Sequence, residues 1–167
     1  NNDIVGIREY LNELDTNLSI LDSSIRTGNS MADAILNSKV SLAKAREIDV
    51  RVDAHIPVKL KISEIDLCCI LGNLFDNAID ASMALPPQNR LIRVYMDMKG
   101  SRLYISFTNF TSQKKLGKLG RVFATTKGLG HGLGLSRIEN IVEKHDGYLS
   151  FNSEDGAFTA EILLPQE

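Results

Sequence analysis

The chain has 167 residues, 43% of them hydrophobic, which is enough for one sizeable core plus a helical appendage. A formal net charge of −2 and a pI near 6.0 give no basic footprint for nucleic acid, and no apolar run approaches the roughly 20 residues of a membrane span. The start carries no signal-peptide pattern, and the adjacent Cys68 and Cys69 diverge by about 100° on a helix, which suits neither a disulfide nor a zinc site but fits a reducing cytoplasm.

In chain order, Ile4, Ile7, Leu11, Leu14, Leu18, Leu21 and Ile25 alternate in spacings of three and four, a heptad seam that asks for a partner helix. Gly28 stops it, and Asn29 or Ser30 caps a second helix running to about residue 47. Residues 50–54 alternate as a strand, and Ser63 caps a long helix that ends near residue 84, ahead of Pro86 and Pro87. Residues 92–98 and 103–107 read as a hairpin around Lys99-Gly100. A helix from His131 to about His145 ends at Gly147, and residues 148–151 and 157–164 form a second hairpin around Asp155-Gly156. The expected fold is an α/β (α+β) two-layer sandwich, with helices on one face of a mostly antiparallel sheet and a long N-terminal helix in front.

Within the long helix, Leu71-Gly-Asn-Leu-Phe-Asp-Asn-Ala-Ile-Asp-Ala81 sets Asn73, Asp76, Asn77 and Asp80 on one stripe. Asparagine is a poor interior helix former, so a pair at i, i+4 asks for a reason. A solvated face is the plain one; a seat for hydrated Mg²⁺, which needs few protein ligands beside phosphate oxygens, is the functional one. Fifty residues on, Thr125-Thr-Lys-Gly-Leu-Gly-His-Gly-Leu-Gly-Leu135 opens a helix with glycines. Gly128, Gly130, Gly132 and Gly134 let backbone approach an anion, and Lys127 adds charge. Neither a Rossmann fingerprint nor a P-loop is present, yet metal stripe and anion-binding helix start together point to a Mg-nucleotide. Residues 110–130 form a long connection carrying Lys114, Lys115, Lys118, Arg121 and Lys127, suited to fold over that anion.

These two motifs, in this order, resemble the N-box and second glycine box of the ATPase superfamily shared by gyrase, a heat-shock chaperone, histidine kinases and mismatch-repair proteins. Asn-Leu-x-x-Asn-Ala is the histidine-kinase form. Thr27-Gly-Asn-Ser-Met-Ala-Asp-Ala-Ile-Leu-Asn-Ser-Lys39 and Asp66-Leu-Cys-Cys-Ile-Leu-Gly-Asn73 resemble the Agr-type sensor kinases. The resemblance implies residues 1–28 as a helix of a dimerisation hairpin, giving a homodimer, and 29–167 as an ATP-binding catalytic domain. It assigns Asn77 to Mg²⁺, Asn73 to metal and phosphates, and Gly130, Gly132, Leu133 and Gly134 to the phosphates; for His131, inside that box, a phosphate contact and a plain polar residue at the helix start are equal readings. Thr126 and Lys127 approach from an ATP lid anchored by Phe123, and Asn73, Asn77 and Lys127 carry catalysis.

Departures from the family pattern accompany it. Where most members have an aspartate that receives the adenine amino group, this chain reads Ser106-Phe-Thr-Asn-Phe-Thr111, so Asn109 is the candidate adenine contact, without charge assistance. Asp80 and Ala81 replace a common Lys-Tyr pair, so modest ATP affinity is expected. None of the three histidines stands on the first helix, so the phosphoacceptor is expected upstream of residue 1, in a membrane-bound sensor whose cytoplasmic part this is. Transfer would run from ATP to that histidine and on to a response regulator. The general base stays open: Asp76 lies near the stripe, but pairing with a lysine or with adenine is an equal reading. His55 and His145 read as structural, the latter favoured by its helix dipole. The rivals are a serine-phosphorylating anti-sigma-factor kinase and a non-catalytic dimerisation module.

Overall fold

A computed structural model describes residues 25–112 and 129–167, with backbone alone at 129–133. The heptad seam and most of the basic connection, including Thr126 and Lys127, lie outside the described residues. The elements run α1 (Ser30–Ala45), β1 (Asp49–Ala54), α2 (Glu64–Ser82), a 3₁₀ turn (Pro87–Asn89), β2 (Leu91–Lys99), β3 (Arg102–Phe110), α3 (Leu129–Lys144), β4 (Tyr148–Glu154) and β5 (Ala157–Pro165).

The sheet order is β1-β2-β3-β5-β4, with β1 parallel to β2 and every other pair antiparallel. The period of two divides each strand cleanly. Ile92, Val94 and Met96, Leu103, Ile105 and Phe107, and Ala160, Ile162 and Leu164 are buried, while Tyr95, Tyr104, Thr108 and Glu161 lie on the opposite face. Leu67, Ile70, Leu71, Leu74, Phe75, Ala78 and Ile79 make the buried face of α2. At its centre the rings of Phe75 and Phe107 meet edge to face, centroids 5.1 Å apart at 84°. Burial of such a ring contributes about 1.5–3 kcal/mol, and the contact pins α2 across β3.

Local signals set the element ends. Asn29 caps α1 by accepting from the Met31 and Ala32 amides, and Ser63 caps α2 through the Asp66 amide. The hairpin turns at Gly100 and Gly156 use φ of +62° and +83°, where a Cβ would be strained. The end of α3 differs from the expected glycine stop. Asp146 takes the left-handed conformation at φ +53°, while Gly147 serves close packing: a Cβ there would stand 2.7 Å from the Leu163 carbonyl oxygen. Two of the shifted bounds bear on the site. β3 continues to Phe110, which places Asn109 inside the sheet, and α3 begins at Leu129 instead of His131, which brings Gly130 into the helix beside Gly132 and Gly134.

Candidate functional site

The long helix α2 turns its apolar residues to the sheet, so its polar stripe faces away between α1 and α3. Asp76, at the α1 side, accepts from Lys39 Nζ at 2.6 Å. Of the readings open in the sequence, the lysine partner is thus the one found, which occupies this carboxylate with an ion pair. Asn73 and Asn77 follow the α3 side. The Asn73 amide nitrogen donates back to its own helix, 2.7 Å from the Cys69 carbonyl oxygen and 3.3 Å from Cys69 Sγ. Its oxygen then faces α3, where a Cβ added to Gly134 would lie only 3.0 Å from it. N-box and glycine box are therefore in contact through a side chain on one element and the lack of one on the other.

One turn along, Asn77 Nδ2 is buried without a hydrogen-bond partner among the described residues. Such a group typically costs about 1–3 kcal/mol, and a half-turn of the amide exchanges its N–H end for its oxygen. A buried amide nitrogen with unspent bonding capacity, one turn along α2 from the Asn73 oxygen that faces Gly134, fits a ligand that supplies both phosphate oxygen and cation.

Asn109 is 5% exposed on the helix-covered face of β3, in register with Ile92 and Phe158. Its Nδ2 donates to the Phe110 carbonyl oxygen at 3.1 Å, so the side-chain oxygen is the end that can accept. The site residues thus come from three elements: the stripe of α2, the start of α3 and the end of β3. Gly130, His131, Gly132 and Leu133 contribute backbone in the first turns of α3, and their side chains lie outside the described atoms.

Sequence reasoning missed the far end of the α2–α3 contact. Asp66, in the first turn of α2, accepts from His145 Nε2 at 2.9 Å and from Lys144 Nζ at 3.0 Å. These hydrogen bonds, His145 first, hold the Asp66 carboxyl below its usual range. His145 is structural as expected, but through this carboxylate on another helix. The i, i+4 spacing of Cys69 and Asn73 was a visible signal for that second contact; the 79-residue separation of Asp66 and His145 offered none. Burial pushes the Cys68 thiol up, and both cysteines are free. His55 is exposed beside Asp53, at 3.2 Å.

A five-stranded, mostly antiparallel sheet with its helices on one face is the fold of histidine kinase catalytic domains. The catalytic domain of histidine kinase ThkA superposes with a TM-score of 0.63 at 18% identity, over 84% of this chain and 93% of that one. A mycobacterial sensor histidine kinase, MprB, gives 0.59 at 19%, over 79% and 93%. Residues 62–165 match the GHKL domain, and the chain belongs to that family. Its curated relatives include sensor kinases. Sensor histidine kinase ZraS of Escherichia coli is 33% identical over 128 residues, 74% of this chain and 27% of that protein. A probable C4-dicarboxylate sensor kinase of Halalkalibacterium halodurans is 28% identical over 147 residues, 83% of this chain and 28% of that one. The chain therefore spans little more than a quarter of these relatives.

Proposed function

We propose that this chain is the ATP-binding catalytic part of a two-component sensor histidine kinase, which directs the γ-phosphoryl group of ATP onto a histidine outside the catalytic domain. Membership of the GHKL family implies ATP binding, and kinship with sensor histidine kinases implies a response regulator as downstream partner. The observation that carries the reading is the pairing of Asn73 against Gly134 beside the orphaned Asn77 amide.

In this reading Asn77 holds Mg²⁺ through its oxygen, with Asn73 beside it. Bound there, the ion would neutralise charge building on the transferred phosphoryl group. The uncommitted backbone amides in the first turn of α3 receive phosphate oxygens at the positive end of the helix dipole, and the glycines from Gly130 to Gly134 let the ligand come close. Asn109 accepts the adenine amino group with its side-chain oxygen, and Thr126 and Lys127 approach from the lid. Positioning and charge stabilisation are the work of these residues; none supplies a covalent step.

The finer assignments belong to the same proposal: residues 1–28 as a dimerisation helix ahead of a catalytic domain at 29–167, and an Agr-type kinase supported by the Asn109 position and the Thr27-Gly-Asn29 start. In that start, Asp33 accepts from the Thr27 amide and hydroxyl, both at 2.6 Å, and Asn37 exchanges two hydrogen bonds with the Ile25 backbone at 2.8 and 3.1 Å. The entry to the domain is thereby fastened to α1. Among the described residues no helix is long and apolar enough to cross a membrane; the reading makes this chain the cytoplasmic part of a membrane-bound sensor. The test is phosphate transfer in trans: this chain, Mg-ATP and a separate dimerisation hairpin bearing its histidine should give acid-labile phosphohistidine. Asn77→Ala should not, and a product on serine instead would favour the anti-sigma-factor kinase reading.

A further inference from the structure

Asn73 could present either end of its carboxamide to the site, and the difference matters. An outward oxygen attracts a cation or a water bound to it, whereas an outward N–H₂ attracts a phosphate oxygen directly. The selection is made one turn back. Cys69 offers two acceptors, its carbonyl oxygen at 2.7 Å and its Sγ at 3.3 Å, both against Asn73 Nδ2. A half-turn of the amide would set the Asn73 oxygen against the Cys69 carbonyl oxygen, opposing like partial charges, and would oblige the thiol to turn from acceptor to donor. The carbonyl belongs to the helix backbone and exists whatever residue stands at 69. Only the thiol is a choice of the sequence.

We infer that Cys69 is a positioning residue for the nucleotide site: through its sulfur it fixes the Asn73 amide with nitrogen inward and oxygen toward the glycine-box helix. The inference rests on the nucleotide-binding reading and adds to it that Asn73 serves the cation side of the ligand. Gly134 completes the arrangement, because a Cβ 3.0 Å from Asn73 Oδ1 would press on the oxygen that Cys69 turns outward. Cys68, the neighbour in sequence, makes no hydrogen bond to the stripe among the described residues and provides the matched control.

The experiment compares wild type with Cys69→Ala, Cys69→Ser and Cys68→Ala in two measurements. In the nucleotide-free protein, nitrogen-15 spectra follow the side-chain amide pair of Asn73, assigned by its disappearance in Asn73→Asp. The pair should show slowed solvent exchange that is lost in Cys69→Ala, kept in Cys68→Ala and largely restored in Cys69→Ser, whose hydroxyl can still accept. Calorimetric titration with ATP should show Mg-dependent affinity weakened about five- to tenfold in Cys69→Ala, the size of one hydrogen bond, with Mg-free binding unaltered. An Asn73 amide that exchanges alike in wild type and Cys69→Ala would overturn the inference whatever the nucleotide does. Equal weakening with and without Mg²⁺ would also overturn it. If wild type fails to bind Mg-ATP while the spectra behave as stated, it is the functional reading that falls, and the side-chain geometry stands.

Discussion

The two ends of the α2–α3 contact are built on opposite terms. At the start of α2, Asp66, His145 and Lys144 satisfy one another, and the Ser63 cap closes the helix end beside them. Further along α2, Asn77 keeps a buried nitrogen without a partner among the described residues, and Asn73 turns its oxygen to a glycine. A protein that can complete its hydrogen bonds in one place and leaves them open a few turns away separates fastening from function. Open capacity is a stability cost retained where a ligand repays it.

Substitutions should break the two ends in different ways. The largest expected effect is at Asn77. Asn77→Ala should weaken Mg-ATP binding about a hundredfold, the loss of a charge-assisted contact, while thermal unfolding of the free protein stays level or shifts upward because the unsatisfied nitrogen is gone. A fall in both would make Asn77 part of the core instead. Next comes Gly134→Ala, which presses a methyl on the Asn73 oxygen. Calorimetry should read roughly tenfold weaker nucleotide binding, with a melting temperature lower by a few degrees.

At the closed end the pattern should invert. His145→Ala should cost about 1 kcal/mol of stability in urea unfolding, while nucleotide affinity changes less than about twofold. The smallest effect is on pH dependence. Because the folded state holds the Asp66 carboxyl low, the unfolded chain binds more protons between the folded value and the unfolded value near 3.9. The Asp66 contribution is thus complete above the unfolded value and disappears as pH falls through the folded one. Asp66→Asn should flatten that acid limb in unfolding measurements, and an unchanged acid limb would mean the pair with His145 is not made in solution. Lys144, largely exposed, should contribute little to it.

Much of this contrast was legible in the sequence and some was not. The asparagine stripe could be read because helical period and propensity are local, and the strands because alternation is local. The end of α3 was read through the habit of glycine after helices. There the structure divides the work, with Asp146 taking the left-handed turn and Gly147 yielding space to the Leu163 carbonyl. The extension of β3 to Asn109 depends on pairing with β2 and β5, a tertiary gain that propensity does not report. Contacts such as Lys39 with Asp76 or Asp66 with His145 join distant segments, so only the packed fold reveals them.

The central claim is that the open end binds a Mg-nucleotide, and a calorimetric titration of this chain with ATP, with and without Mg²⁺, beside Asn77→Ala, tests it most directly. Saturable, Mg-dependent binding that Asn77→Ala weakens about a hundredfold is the predicted result. No binding at millimolar ATP by a folded sample would contradict it and leave a GHKL fold serving as a dimerisation module without nucleotide.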